Sequence, residues 1–368
     1  MSDNTIGVGI VGGSLGAGWA NRAHVPALRA LGDRYRITAV STTKEESARA
    51  AAREWGVPHH FADAAELAAH PDVDLVVVTV KVPAHDVLVR AAVEAGKHVY
   101  CEWPLARNTE EATRLRDLAA DADVRHAVGL QARFAPPIRR ARELIAEGYV
   151  GEVDSVTVNS SLAKGAGGRT PVHNAYTYDS SSGAGILEVA GGHTLDALEF
   201  ILGELSEISA RTAVRHGDVV VNETGRHLVV TSPDHFQAHA RFASGALASV
   251  HLAAAKASRP RVRIEISGSR GDLAIESIAG ELSGYGVQIS PLRLRGTDRV
   301  GGDWRILSTS EGEGLPGQAL HVAEFYRRLA EHIDGGHPDI PDFAAAVRTH
   351  RVLDAARASA ASGTTRPI

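Results

Sequence analysis

Short apolar runs alternate with amphipathic stretches through the first third of the chain. Residues 5–12 (Thr-Ile-Gly-Val-Gly-Ile-Val-Gly) are apolar and β-branched, the pattern of a parallel strand buried on both faces. A glycine-rich turn from Gly12 to Gly18 follows, then a helix to about Leu31. Strands are predicted at 37–41, 57–61, 74–79, 97–101 and 125–129, with helices at 44–55, 83–95 and 108–120. Asp63 reads as an N-cap. Strand and helix in alternation predict a doubly wound parallel sheet with helices on both faces, a Rossmann arrangement over residues 1–130.

The rhythm changes near residue 131. Helix 136–147 leads into long segments of period two at 153–161, 208–214, 227–231, 235–242, 247–255, 261–267 and 272–276. Half-buried alternation of this kind predicts a large, open, mainly antiparallel sheet. One helix, 192–202, interrupts it, and helices at 317–334 and 341–360 close the chain. Residues 131–368 are therefore expected to form a second, α+β domain. The polar, glycine-rich stretch 163–183 is expected to be a mobile loop near the site.

Composition narrows the function. Two domains suit 368 residues, 44% hydrophobic and 23% charged, and the net charge of −5 offers no basic field for nucleic acid. No apolar run approaches the ~20 residues of a membrane span. The N-terminal residues lack the basic and apolar regions of a signal peptide, and one cysteine, Cys101, excludes an internal disulfide; a cytoplasmic protein is expected. The histidines show no zinc-type spacing, so no metal is expected.

The chemistry starts at the first turn. A strand, a glycine turn and a helix N-terminus bring backbone N–H groups to a pyrophosphate. The literal G-x-G-x-x-G at Gly7, Gly9 and Gly12 lies inside the strand and is a decoy; the working turn carries Gly12, Ser14, Leu15 and Gly16. Where NAD sites often carry an acid, this chain has Ser41-Thr42-Thr43-Lys44. Hydroxyls and a lysine suit a 2′-phosphate, which favours NADP over NAD. Lys81, at the end of the fourth strand, is a candidate for binding a substrate carboxylate or hydroxyl. His85 starts the next helix and reads as a local cap, and Cys101 as buried strand filler.

Several motifs then coincide in order: Ala23-His24-Val25-Pro26 after the turn, Val82-Pro83-Ala84-His85, Tyr100-Cys101-Glu102-Trp103-Pro104-Leu105-Ala106, Gln131-Ala132-Arg133-Phe134 and Gly191-Gly192-His193-Thr194-Leu195-Asp196. Together they resemble the glucose-fructose oxidoreductase / inositol dehydrogenase / MocA family, in its Gal80-like branch. The resemblance implies a nicotinamide cofactor bound between a Rossmann domain and a sheet domain whose outer face forms dimers or tetramers. It implies hydride transfer to or from a sugar, cyclitol or related polyhydroxylated compound. Glu102 matches a glutamate at the nicotinamide end, and Pro104 the proline of that corner. His193 matches the family's acid/base histidine, and Asp196 its His-x-x-Asp partner. Trp103 stands where the family has its lysine, and Val189 where it has an aspartate; Glu188 beside it is expected to point away along an alternating chain.

Two of the usual proton-handling groups are thus absent. His193, with an ordinary pKa near 6.5, is the expected base. Tyr176, with Lys164, His173 and Tyr178 in the loop, and Lys81 are the other candidates. Thr79, His85, Glu102, Trp103 and Gln131 are expected at the cofactor, and Lys81, Trp103, Arg133, His173, Tyr178, Asp196 and His193 at the substrate; His251 is a weaker pocket residue. An indole at 103 has the means to stack on a ring and donate one hydrogen bond, but not to take a proton. Two other readings stand beside the dehydrogenase: a dinucleotide-binding sensor without catalysis, and a lyase or glycosidase that works by transient oxidation.

Overall fold

A computed structural model describes residues 5–13, 15–16, 18–256, 260–278, 286–310, 314–315 and 317–368. The chain divides into two compact units, residues 1–130 with 313–348, and residues 131–312 with 349–368.

The first unit holds β1 (Ile6–Val11), α1 (Val25–Ala30), β2 (Tyr35–Ser41), α2 (Glu45–Trp55), β3 (His59–Phe61), α3 (Ala64–Ala69), β4 (Leu75–Val78), α4 (His85–Glu94), β5 (His98–Glu102), α5 (Thr109–Asp121) and β6 (His126–Gly129). Among the described residues these six strands form one parallel sheet in the order β3-β2-β1-β4-β5-β6. Every residue of β1 and β4 is buried, as the continuous apolar runs require of strands covered on both faces. Helix α2 buries Ala48, Ala51, Ala52 and Trp55, one face at helical spacing, and stops at Gly56 in the left-handed region (φ 67°). The Asp63 carboxylate accepts from Ala65 N at 2.7 Å, the expected cap. Gly7 and Gly9 lie in β1, where a Cβ on Gly9 would stand 2.6 Å from Leu67. They are packing glycines.

The second unit begins with α6 (Pro136–Ala146), β7 (Val153–Ser161), β8 (Arg169–Thr170), α7 (Gly192–Leu202), β9 (Leu205–Ala213), β10 (Asp218–Val221), β11 (His227–Val229), β12 (His235–Phe242), β13 (Leu247–Ala253), β14 (Arg261–Gly268), β15 (Asp272–Ser277), β16 (Leu292–Thr297) and β17 (Arg305–Thr309). Helix α8 (Gly317–Ile333) belongs to the first unit, α9 (Phe343–Ser362) runs from one unit into the other, and β18 (Arg366–Pro367) ends the chain. Nine described strands make a sheet in the order β17-β16-β15-β14-β7-β13-β12-β9-β18, antiparallel except where β13 and β7 run parallel. Strands β12 and β13 alternate buried and exposed positions, so one face builds a core and the other stays open.

Local structure departs from the sequence expectation in three places. Residues 163–183 are no featureless loop: they form 3-10 turns at Ala166–Gly168, Val172–Tyr178 and Ser180–Ser182, and β8 pairs with β10. Tyr178 anchors them by packing on Val219 and Val230. The first-turn helix opens with a π-turn at Ala20–His24, and a second π-turn at Leu187–Gly191 runs straight into α7. His193 therefore lies inside a continuous helical stretch. The segment at 313–348, sequence neighbour of the second unit, packs with the first.

Candidate functional site

In the first unit, the carboxyl ends of β1, β2, β4 and β5 gather the expected cofactor residues along one edge of the sheet. Gly12 takes φ 102° and Gly16 φ 92°, conformations that side chains rarely adopt. The turn lies tightly against its neighbours: a Cβ on Gly13 would stand 2.1 Å from Val40 Cγ2, and one on Gly12 would stand 2.7 Å from Val80 Cγ1. Gly12 N and Gly13 N both donate to the Ser41 carbonyl, at 2.9 and 3.2 Å. Around Gly16 there is open space, and Leu15 is exposed. Ser14 lies outside the described residues.

At the end of β2, Ser41 is buried. The Thr42 hydroxyl donates to Lys44 O at 2.9 Å and meets Ser47 Oγ at 2.5 Å, so it fastens the start of α2. Lys44 is exposed and has no ion-pair partner among the described residues. At the end of β4, Thr79 Oγ1 donates to Val11 O at 2.9 Å, and Lys81 is exposed.

His85 is neither a helix cap nor a free-standing ligand. Its ring is buried with Nδ1 2.9 Å from Pro104 O and Nε2 3.0 Å from Val80 O, and Cys101 Sγ lies 3.3 Å from Nδ1. It clasps the ends of β4 and β5 together, and burial lowers its pKa against the pull of those carbonyls. Cys101 is fully buried in β5, as expected.

The β5 corner holds a buried polar chain. Glu102 Oε1 lies 2.9 Å from His24 Nε2, and His24 Nδ1 lies 2.7 Å from the Tyr326 hydroxyl. Tyr100 stacks on Phe325 at 4.5 Å, and Tyr35 donates to Tyr326 O at 2.8 Å. A Cβ on Gly129 would stand 2.8 Å from the Glu102 carboxyl, so that glycine makes room for it. The role of His24 is a tertiary one: its partners stand 78 and 302 residues away in sequence. Trp103 is 5% exposed and joined to Pro104 by a cis peptide. It fills the position as a buried wall.

In the second unit, His193 is 3% exposed, and its Nδ1 is buried with no hydrogen-bond partner among the described residues. Burial pushes its pKa down to about 3, so it is a neutral imidazole at physiological pH. That desolvation sets it well below the ordinary 6.5 expected of a poised base. Asp196 does not face open solvent either. Arg133 grips it with two bonds, Nε to Oδ2 at 2.9 Å and Nη2 to Oδ1 at 2.5 Å, which fastens α7 to the 3-10 turn Gln131–Phe134. The two expected substrate ligands are thus ion-paired to each other. Gln131 is buried, with Oε1 unpartnered among the described residues.

Glu188 is buried in the π-turn, with Oε1 2.8 Å from Arg357 Nη2; the helical turn, rather than strand alternation, sets its direction. His173 is exposed, and Tyr176 is half-buried with its pKa raised by burial. The loop residue that stands out is Lys164. Its Nζ donates to Thr177 O at 3.4 Å and sits 5.0 Å from the centre of the Tyr178 ring, with no carboxylate in ion-pair contact among the described residues. Burial lowers its pKa to about 8, with the charge of Glu188 opposing. Only the folded environment confers this property.

One further cluster escapes the sequence spacing. Ligand atoms of His59, His70 and Asp72 lie within 4.8 Å of one another, and a His59 Nε2–Asp72 hydrogen bond of 2.8 Å already joins two of them. No described helix is long and apolar enough to cross a membrane.

Known proteins are similar to this chain in sequence and fold. Residues 6–130 match a family described as an oxidoreductase family with an NAD-binding Rossmann fold, GFO_IDH_MocA, and residues 136–277 match the Gal80p C-terminal domain. Dehydrogenase aclE of Aspergillus oryzae is 35% identical over 254 residues, 67% of this chain and 69% of that protein. Inositol 2-dehydrogenase of Rhizobium meliloti is 29% identical over 265 residues, 72% of this chain and 75% of its own length. The galactose/lactose metabolism regulatory protein GAL80 of Saccharomyces cerevisiae is 26% identical over 363 residues, 92% of this chain and 82% of its own. A solved structure of its super-repressor mutant superposes with a TM-score of 0.86 at 23% identity, covering 99% of this chain and 98% of that one. With its parallel six-stranded sheet, its glycine turn and its mainly antiparallel second sheet, the chain belongs to the Gfo/Idh/MocA oxidoreductase family, with a Gal80-type C-terminal domain.

Proposed function

We propose that the protein is an NAD(P)-dependent dehydrogenase that oxidises a CH–OH group of a sugar, cyclitol or related polyhydroxylated compound, or reduces the matching ketone, with NADP preferred. The observation that carries this reading is Lys164. A lysine held under an aromatic ring, without a carboxylate in ion-pair contact and with a pKa of about 8, exchanges its proton in the range where enzymes work.

The first unit fits the cofactor. Its turn admits no Cβ at Gly12 or Gly13, Gly16 faces open space, and Lys44 offers an exposed cation where a 2′-phosphate is expected. When bound, a nicotinamide supplies the hydride exchange. Lys164, deprotonated, accepts the hydroxyl proton in oxidation; protonated, it returns it to the carbonyl oxygen in reduction. His193, held neutral, hydrogen-bonds a substrate hydroxyl.

A second reading, a cofactor-dependent regulator, is favoured by the Gal80-type domain over residues 136–277 together with the tryptophan at 103. Absorbance at 340 nm decides between them, with NADP or NAD and a panel of sugars, cyclitols and sugar acids. Turnover with any of them supports the dehydrogenase. Tight cofactor binding without turnover across the panel favours the regulator.

A further inference from the structure

A polar cavity of about 340 Å³ opens in the second unit at the ends of β7, β12, β13 and β14. The strand register sets His235, Ser161 and Arg261 in one row across the sheet, with His251 in the next row on the same face. The His235 ring lies 6.3 Å from that of His251. Lys256 and Arg261 line the cavity, and neither has an ion-pair partner among the described residues. Ser161 lines it on the same face; it is 5% exposed, and its hydroxyl has no hydrogen-bond partner among the described residues, whereas Ser160 beside it points to the opposite, core face with Leu252 and Val262.

No lining residue is acidic. Asp234 holds the His235 and His216 rings through their Nδ1 atoms at 2.8 and 2.9 Å, and it lines the smaller adjoining cavity rather than this one. A buried hydroxyl without a partner destabilises the fold, and a bound acceptor removes that cost. Two cations without an ion-pair partner among the described residues, three imidazoles (His216, His235 and His251) and the Ser161 hydroxyl, with no carboxylate lining the cavity, form the donor set of an oxyanion site.

We infer that this cavity binds a small molecule through a phosphoryl or carboxylate group. Its volume has room for a sugar-sized body behind that group. The cavity adjoins the smaller one that Lys164 lines, sharing His216, Ala254 and Ala255 with it, but Lys164 is not among its own lining residues, and binding here is measurable without any turnover.

Isothermal titration with glucose 6-phosphate, inorganic phosphate, gluconate and uncharged glucose tests the proposal on the full chain. Saturable heat from a phosphate or from gluconate, with glucose silent, is expected, and which of the two binds tells a phosphoryl ligand from a carboxylate. Affinity should fall at least tenfold in K256Q/R261Q, two exposed or half-buried changes that leave the core intact. It should fall several-fold in Ser161→Ala, while NADP affinity stays unchanged in both. A phosphate affinity that K256Q/R261Q leaves unaltered places the anion on the dinucleotide turn and overturns the proposal. Equal binding of glucose, or no saturable heat from any anion, overturns it as well.

Discussion

Replacing Lys164 by Met removes a charge that the fold holds at a cost. Its pKa stands at about 8 against an ordinary 10.5, which corresponds to roughly 3 kcal/mol against the protonated form in the folded state. The variant forfeits the contact with the Tyr178 ring, about 1 kcal/mol, and leaves the Thr177 carbonyl without its donor, about 1 kcal/mol more. The net effect at pH 7 is a gain of about 1–2 kcal/mol, a rise of roughly 3–6 °C in Tm for a unit of this size. The sign changes with pH. At pH 7 both states are protonated and the folded state carries the cost. Above about 8 the folded protein sheds the proton while the unfolded chain keeps it to 10.5, so wild-type stability rises through that window. The variant has no such rise, and its advantage disappears by the upper end. Urea unfolding followed by circular dichroism at pH 7, 9 and 10.5 measures the difference. A variant less stable than wild type at pH 7, with a parallel pH dependence, refutes the reasoning that Lys164 is a desolvated cation.

The other expectations concern single sites. Gly13→Ala puts a Cβ 2.1 Å from Val40 Cγ2, so the turn must shift; fluorescence titration should show NADP affinity down at least tenfold, with a loss of about 2 kcal/mol in stability. Lys44→Gln should weaken NADP by about tenfold and leave NAD within twofold, and equal effects on both cofactors contradict the 2′-phosphate assignment. Asp196→Ala leaves the Arg133 guanidinium facing an emptied site and should cost about 3 kcal/mol in chemical unfolding, whereas R133M/D196L should recover more than half of it.

How much of this was legible along the chain varies with distance in sequence. The buried strands β1 and β4 announce themselves in continuous Val and Ile, and the Asp63 and Asn108 caps sit beside the helices that they start. The cofactor edge follows from the topology those strands impose. Strand β16 is written in plain alternation, Leu292-Arg293-Leu294-Arg295, but the run is short and β10 and β17 are shorter still. The π-turn before His193 is hidden because Gly191-Gly192 resembles a helix start, whereas the chain is already helical from Leu187. Pairing and burial are the least visible. Asp196 meets an arginine 63 residues away, Glu188 one 169 away, and His24 a tyrosine 302 away. The same holds for proton affinity. His193 and Lys164 carry ordinary values in the sequence; burial moves the first out of the working range and the second into it.

The proposed role of Lys164 as the group that exchanges the substrate's proton rests on that inversion. The pH dependence of NADP reduction by an active polyol, read at 340 nm for wild type and Lys164→Met, tests it directly. The wild-type rate should climb through a single inflection near pH 8, with no second inflection down to pH 5 because His193 stays neutral throughout. Lys164→Met should lose at least 100-fold with NADP affinity unchanged. Turnover within a few-fold of wild type in that variant, or an inflection near 6.5 that Lys164→Met leaves in place, would contradict it.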